Sequence, residues 1–369
     1  MRIAIVLNAS WNIYNFRMGL IQTFLETGHE VYAIAPPDEY SERLVEVGCR
    51  YIPVDLDNKG SHPVKDLAYT ASLYKIYKAI KPDAILHYTI KPNIYGTIAA
   101  SLLGLKVINN VSGLGTVFLR NNLTSKLAQF LYRLTFTLPD KVFFQNPDDR
   151  NLFIKRGLVK ESITDVLPGS GIDLQKFRPL PFRRNHTFTF LLIARLLYDK
   201  GIVEYIEAIQ TLKKSGIHAK FQLLGFKDNS SSGIPERLLN QWIEAGLVDY
   251  LGTTDNVTHF INHADCIVLP SYREGTPRTL LEAAALAKPL IATRVPGCIE
   301  IVEHEYNGFL CEMKNSVDLA RQMQKMTKLD NSSLHEMGEA SRRKVEEKFD
   351  ETLVIDKYME AIGLHQVPA

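Results

Sequence analysis

A chain of 369 residues with 46% apolar composition can bury a sizeable core, and its length favours two domains over one. With 43 Lys and Arg against 41 Asp and Glu, the net charge of +2 is not that of a strongly basic nucleic-acid binder, and no nucleic-acid partner is expected. The longest apolar runs, such as Phe188 to Ala194, are too short to cross a bilayer, and the first residues run straight into a strand-like segment, so a cytoplasmic location is expected.

From Arg2-Ile-Ala-Ile-Val-Leu7 onward, short apolar runs alternate with amphipathic segments. Strands are expected at 2–8, 31–36, 50–55, 83–88, 107–112, 141–146 and 163–167, with helical patterns such as Phe16–Glu26, Val64–Ile80 and Leu123–Leu138 between them. Such alternation needs crossover connections and predicts a parallel sheet covered on both faces. A turn-rich stretch from Pro168-Gly-Ser-Gly-Ile-Asp173 through Phe177-Arg-Pro-Leu-Pro181 interrupts the pattern and reads as a hinge. The alternation then resumes with strands at 188–195, 219–224, 249–252, 266–270, 289–294 and 308–311, and three helical segments follow, the last near Glu351–Ile362.

Charge and cysteine placement add two expectations. Cys49, Cys266, Cys298 and Cys311 sit in apolar stretches with no metal-ligand spacing and read as reduced core residues. Residues 91–160 carry ten basic side chains against three acidic ones. A solvated face accounts for this excess, and an anionic membrane or phosphate-bearing partner accounts for it better. Within that stretch Val117–Leu134 interleaves apolar residues with Arg120, Lys126 and Arg133, a pattern equally suited to a membrane surface and to core packing.

Open parallel sheets bind ligands beyond the carboxyl ends of their strands, so residues there come first as site candidates. Arg195 ends the 188–195 strand and Lys200 follows five residues later, a cation pair suited to a diphosphate. The strand Cys266-Ile-Val-Leu-Pro270 leads into Ser271-Tyr-Arg-Glu-Gly-Thr-Pro-Arg-Thr-Leu-Leu-Glu282, where Thr276 is expected as helix N-cap and Pro277 as first helical residue. That places a helix N-terminus at the strand end, favourable to a phosphate. Glu274 and Glu282, eight positions apart, could accept sugar and ribose hydroxyls, although taken alone a surface glutamate and a dipole-favoured acid explain them as well.

The segment Glu274–Glu282, with Arg195 and Lys200 upstream, resembles the E-x7-E and R-x4-K signatures of the retaining GT-B glycosyltransferase family 4. The resemblance extends to the opening Met1-Arg-Ile and Asn15-Phe-Arg-Met18, to Gly169-Ser-Gly-Ile-Asp173, and to Val295–Val302 with Asn307-Gly-Phe309. The opening and His87-Tyr-Thr-Ile-Lys-Pro-Asn-Ile-Tyr-Gly96 are similar to bacterial enzymes that add N-acetylhexosamines, N-acetylgalactosamine among them, to polyprenyl-diphosphate-linked sugars. It implies an α/β GT-B fold of two Rossmann-like domains facing across a cleft, 1–180 for the acceptor and 181–349 for the sugar nucleotide, with a helix in 350–369 packing back on the first domain. It implies that Arg195 and Lys200 neutralise the donor diphosphate, that Glu274 contacts the transferred sugar, and that Glu282 holds the ribose. The backbone of Gly275, Thr276, Pro277 and Arg278 would lie near sugar and phosphate oxygens of the donor. Asn12, Arg17, His87, Lys91 and Ser112 are the candidate acceptor or sugar contacts. Ser112 falls where many members place a histidine, and Asn8-Ala-Ser-Trp-Asn12 where many place a glycine pair.

No metal or other cofactor is expected, because Arg and Lys supply the leaving-group charge; Asp55-Leu-Asp57 has a metal-binding form but reads as a turn. The expected partners are a UDP-sugar donor, a lipid-linked saccharide acceptor, and an anionic membrane surface met by the N-terminal domain, peripherally and on the cytoplasmic face. A dinucleotide oxidoreductase would share the parallel-sheet pattern, but the lack of a G-x-G-x-x-G after the first strand counts against it. A sugar-nucleotide epimerase of the same fold is the alternative enzyme, and a non-catalytic sugar-nucleotide binder a more distant one.

Overall fold

A computed structural model describes residues 1–57, 62–114 and 123–364, the side chains of 123–125 excepted. The chain divides into two compact units, Met1–Ser170 with Glu351–Ala369, and Gly171–Asp350. The break comes earlier than the boundary expected after residue 180, because Ile172 and Phe177 of the turn-rich stretch are buried in a core of the second unit.

The first unit alternates β1 (Arg2–Val6), α1 (Ser10–Glu26), β2 (Glu30–Ala35), α2 (Ser41–Glu46), β3 (Arg50–Pro53), α3 (Pro63–Ile80), β4 (Ala84–Tyr88), α4 (Thr97–Ser101), β5 (Val107–Val111), α5 (Leu123–Thr135), β6 (Lys141–Phe144), α6 (Pro147–Lys155) and β7 (Thr164–Val166). Its seven strands are parallel in the order β3-β2-β1-β4-β5-β6-β7. Alternation along β1 sends Ile3 and Ile5 to one face and Ala4 and Val6 to the other, so both faces of the sheet are covered.

The second unit comprises β8 (Thr189–Ile193), α7 (Ile202–Lys214), β9 (Lys220–Leu224), α8 (Glu236–Glu244), β10 (Asp249–Tyr250), α9 (Val257–Asn262), β11 (Cys266–Leu269), α10 (Arg278–Ala285), β12 (Leu290–Thr293), α11 (Cys298–Ile301), β13 (Gly308–Cys311), α12 (Ser316–Lys328) and α13 (Asn331–Lys348). Its parallel order is β10-β9-β8-β11-β12-β13. Phe190 and Leu192 of β8 face one core and Leu191 the other.

The last helix, α14 (Glu351–Ile362), belongs to the first unit. Val354, Ile355, Tyr358, Met359 and Ile362 are buried with Ile3, Leu20 and Phe24 of β1 and α1. Lys357 pairs with Asp165 of β7 at 3.0 Å. Every expected strand is present, most of them trimmed at one or both ends, and α1 begins six residues before the expected Phe16. All four cysteines are buried and unpaired.

Candidate functional site

Strand order in the second sheet reverses between β8 and β11, so the segments leaving these neighbouring strands emerge side by side at the sheet's carboxyl edge. Lys200, in the short turn before α7, donates from Nζ to Oε1 of Glu274 at 2.6 Å, and the Ser271 hydroxyl donates to the same oxygen at 2.6 Å. The Lys200 and Glu274 side chains are only 20% and 12% exposed, so this is a largely desolvated ion pair. Thr293, at the end of β12, donates its hydroxyl to the Ser271 carbonyl and fixes the base of the pair. Arg195 remains exposed, its guanidinium 3.8 Å from the Asp228 carboxylate. The two expected diphosphate cations thus differ: one is locked to a carboxylate and the other faces solvent.

Helix α10 begins at Arg278, one residue later than expected. Pro277 stays extended at ψ 115°, so it occupies the N-cap position expected for Thr276. One turn in, Arg278 Nε donates to Glu282 Oε1 at 3.0 Å. Arg278 also donates from Nη1 to the Gly171 carbonyl at 3.0 Å, tying α10 to the turn before β8. Burial pushes the Glu282 carboxyl above its usual range, and Arg278 opposes the shift. In both Glu274 and Glu282 Oε1 is engaged, while Oε2 meets no protein donor among the described residues.

Two glycines bring the surrounding backbone close. Gly201, at φ +70°, packs on the Pro270 carbonyl, where a methyl group would collide. Gly297, at φ +86°, packs on the carbonyls of Glu274 and Gly275 with the same consequence. Ser271, Gly201 and Gly297 were not singled out by sequence reading; the signal for Gly297 was its place in the Val295–Val302 segment.

In the first sheet the order reverses between β1 and β4. Arg17 of α1 is 5% exposed and its guanidinium lies 4.1 Å over the ring of Tyr88, the last residue of β4. Ser112, after β5, donates to Asn110 Oδ1 at 3.0 Å, and Asn110 Nδ2 donates to the Tyr358 hydroxyl of α14 at 2.8 Å. The Tyr88 and Tyr358 rings are 6.0 Å apart. Arg17 and Ser112 therefore share one face with Tyr88, Asn110 and Tyr358.

His87 points to the opposite face, as strand alternation requires, and its expected substrate contact is corrected. Its ring nitrogens meet the Tyr77 hydroxyl at 2.9 Å and Asn109 Oδ1 at 3.1 Å, and Gly96 packs against the imidazole. Complete burial pushes its pKa down to about 3, which keeps it neutral. Lys91 is held in an ion pair. Its Nζ is 2.6 Å from Asp66 Oδ1, and Tyr95 donates to the other Asp66 oxygen at 3.0 Å, which ties this loop to α3. Asn12 donates to Asn8 Oδ1 at 2.9 Å and shapes the β1–α1 turn, while Trp11 packs edge-on to Phe16 and Tyr40. Asp57 pairs with Lys65 at 3.0 Å.

On α5, Leu127, Phe130 and Leu134 are 43%, 58% and 54% exposed. Beside them Lys126, Arg133 and Arg156 line a depression of about 430 Å³ with Gln129, Phe130 and Leu158. Residues 117–122 of the Val117–Leu134 segment, Arg120 included, lie outside the described residues. Among the described residues no helix is long and apolar enough to cross a membrane, and no group of three or more His, Cys, Asp or Glu could hold a metal ion.

Two family models match the chain, glycosyl transferase 4-like over residues 2–146 and glycosyl transferases group 1 over 175–344. The chain belongs to the GT-B glycosyltransferases and is a glycosyltransferase. It is 29% identical, over 97% of both chains, to the N,N'-diacetylbacillosaminyl-diphospho-undecaprenol alpha-1,3-N-acetylgalactosaminyltransferase of Campylobacter jejuni. It is 25% identical to the UDP-Gal:alpha-D-GlcNAc-diphosphoundecaprenol alpha-1,3-galactosyltransferase of Escherichia coli, over 80% of this chain and 78% of the relative. In fold it is similar to Anabaena Alr3699/HepE, crystallised with UDP and glucose, with a TM-score of 0.82, 18% identity, and coverage of 98% of this chain and 99% of that one.

Proposed function

We propose that this enzyme transfers an N-acetylhexosamine from a UDP-sugar to a polyprenyl-diphosphate-linked saccharide, with retention at the anomeric carbon, in bacterial glycan assembly. The observation that carries the reading is the similarity over 97% of both chains to an enzyme named for such an acceptor. In this reading Arg195 and Lys200 oppose the charge on the donor diphosphate. The Oε2 atoms of Glu274 and Glu282 accept hydroxyls of the transferred sugar and of the ribose, while Lys200, Ser271 and Arg278 hold the other carboxylate oxygens. As the bond from the anomeric carbon to the phosphate oxygen breaks, the acceptor oxygen bonds to that carbon from the same face. The acceptor's proton passes to the departing phosphate, and UDP leaves. Preorganised positive charge at the leaving group is the main stabilising contribution, each such donor being worth roughly 10²–10³ in rate, so no metal is required.

The acceptor's lipid would bring the first unit to the anionic inner face of the cytoplasmic membrane. The exposed Leu127, Phe130 and Leu134 beside Lys126, Arg133 and Arg156 support that reading, since apolar side chains and cations together suit a headgroup layer.

The deciding experiment incubates the purified protein with UDP-N-acetylgalactosamine or UDP-N-acetylglucosamine and a prenyl-diphosphate-linked saccharide, with and without EDTA. The expected product is an α-linked extension of the acceptor, formed at the same rate in EDTA. An epimerised sugar nucleotide with the acceptor untouched would establish the alternative enzyme. Loss of transfer in EDTA, restored by Mg²⁺ or Mn²⁺, would overturn the metal-free mechanism.

A further inference from the structure

Arg17 is anomalous on energetic grounds. A buried guanidinium is ordinarily matched by a carboxylate, since removing its charge from water is costly. Here Nε is buried with no hydrogen-bond partner, and no carboxylate pairs with the side chain among the described residues. What surrounds Arg17 is neutral: the face of Tyr88, with the Tyr358 phenol and Asn110 beyond it. The aromatic face offsets only part of the desolvation.

The position of this charge narrows its purpose. It lies at the point where strand order reverses in the first sheet, the usual ligand crevice of an open parallel sheet. There β4 exits through Thr89, a β-branched residue held at φ +66°, whose buried Oγ1 has no partner either. A π-helical turn, Pro92–Gly96, follows at once. An unmatched guanidinium and an unmatched hydroxyl, desolvated at one sheet edge, form a receptor for an anion with several acceptor oxygens, and the planar fork of arginine suits phosphate.

Resting on the reading of the first unit as the acceptor side, we infer that Arg17 binds a phosphate of the acceptor's diphosphate and thereby makes the enzyme selective for diphosphate-linked saccharides. The phenol and asparagine floor beneath it holds the guanidinium in place, and the anion completes its hydrogen bonding.

The test compares two acceptors that carry the same saccharide, one on a prenyl diphosphate and one on a neutral alkyl chain, using the full-length chain and its Arg17→Met and Arg17→Lys variants. UDP affinity is measured by calorimetry and folding by thermal melts. Wild type is expected to prefer the diphosphate acceptor by about 10–100-fold in kcat/KM, the worth of a charge-assisted hydrogen bond. In Arg17→Met that ratio should fall to near one through a raised KM for the diphosphate acceptor, and Arg17→Lys should restore part of it. An unchanged ratio in a folded Arg17→Met protein would overturn the inference and leave Arg17 a packing residue. A weakened affinity for UDP with the ratio intact would overturn it in favour of the donor's phosphate. Failure of wild type to use either acceptor would instead overturn the functional reading on which the inference rests.

Discussion

Glu274 and Lys200 meet any substrate as a pair, with Ser271 sharing the same carboxylate oxygen. Removing either partner leaves the other largely desolvated and uncompensated, so single substitutions at these two positions overstate each residue's separate role. Glu274→Gln and Lys200→Met are each expected to depress kcat, and the double variant should be less impaired than the two effects combined, with a coupling of roughly 0.5–3 kcal/mol. Glu282→Gln should act differently, chiefly raising the donor KM, because its remaining oxygen is read as a ribose acceptor. Steady-state kinetics on the four proteins checks this, and strictly additive losses at 274 and 200 would argue against a functional pair. The glutamate spacing was legible in sequence because both residues lie on one strand–loop–helix segment. The fate of His87 was not, since a strand-end histidine reads the same whether it faces ligand or, as here, Tyr77 and Asn109.

At the level of elements, α5 presents a stripe in place of a buried seam. Leu127, Phe130 and Leu134 fall at helical spacing on its exposed side, while Tyr132 and Thr135 turn inward. Membrane docking through this face therefore has two separable contributions, apolar insertion and charge. Lys126→Glu with Arg133→Glu should abolish flotation on anionic vesicles at low salt, each cation near such a surface contributing about 1 kcal/mol. Phe130→Ser with Leu134→Ser should instead weaken binding that persists at high salt. Flotation of all variants as well as wild type would remove α5 from the interface. Sequence periodicity left membrane surface and core equally open for this segment, because both demand the same apolar stripe and only packing shows which side is covered.

Helix α14 carries the whole-molecule consequence, because it follows the second unit in the chain and is buried in the first. Its five buried apolar side chains contribute at most roughly 7–15 kcal/mol at about 1.5–3 kcal/mol each, comparable with the roughly 5–15 kcal/mol that holds a whole domain folded. Truncation after Asp350 should unfold the first unit, whereas the excised Gly171–Asp350 segment, with two cores of its own, should still fold and bind UDP. Circular dichroism melts and UDP calorimetry on both chains check this; a truncated chain that melts like wild type would show α14 to be dispensable. Sequence by itself determined the two parallel sheets and the strands within them, which rest on local periodicity, and it singled out Arg195, Lys200, Glu274 and Glu282 as candidates by their place at strand ends and by family resemblance. Tertiary structure alone decided that Lys200 pairs with Glu274, that Lys91 pairs with Asp66, and that Tyr358 reaches Asn110 across 248 positions to close the floor beneath Arg17. The reason is physical: periodicity reports which side of an element is apolar, whereas the partner of a buried charge or hydroxyl is set by which elements the fold makes neighbours.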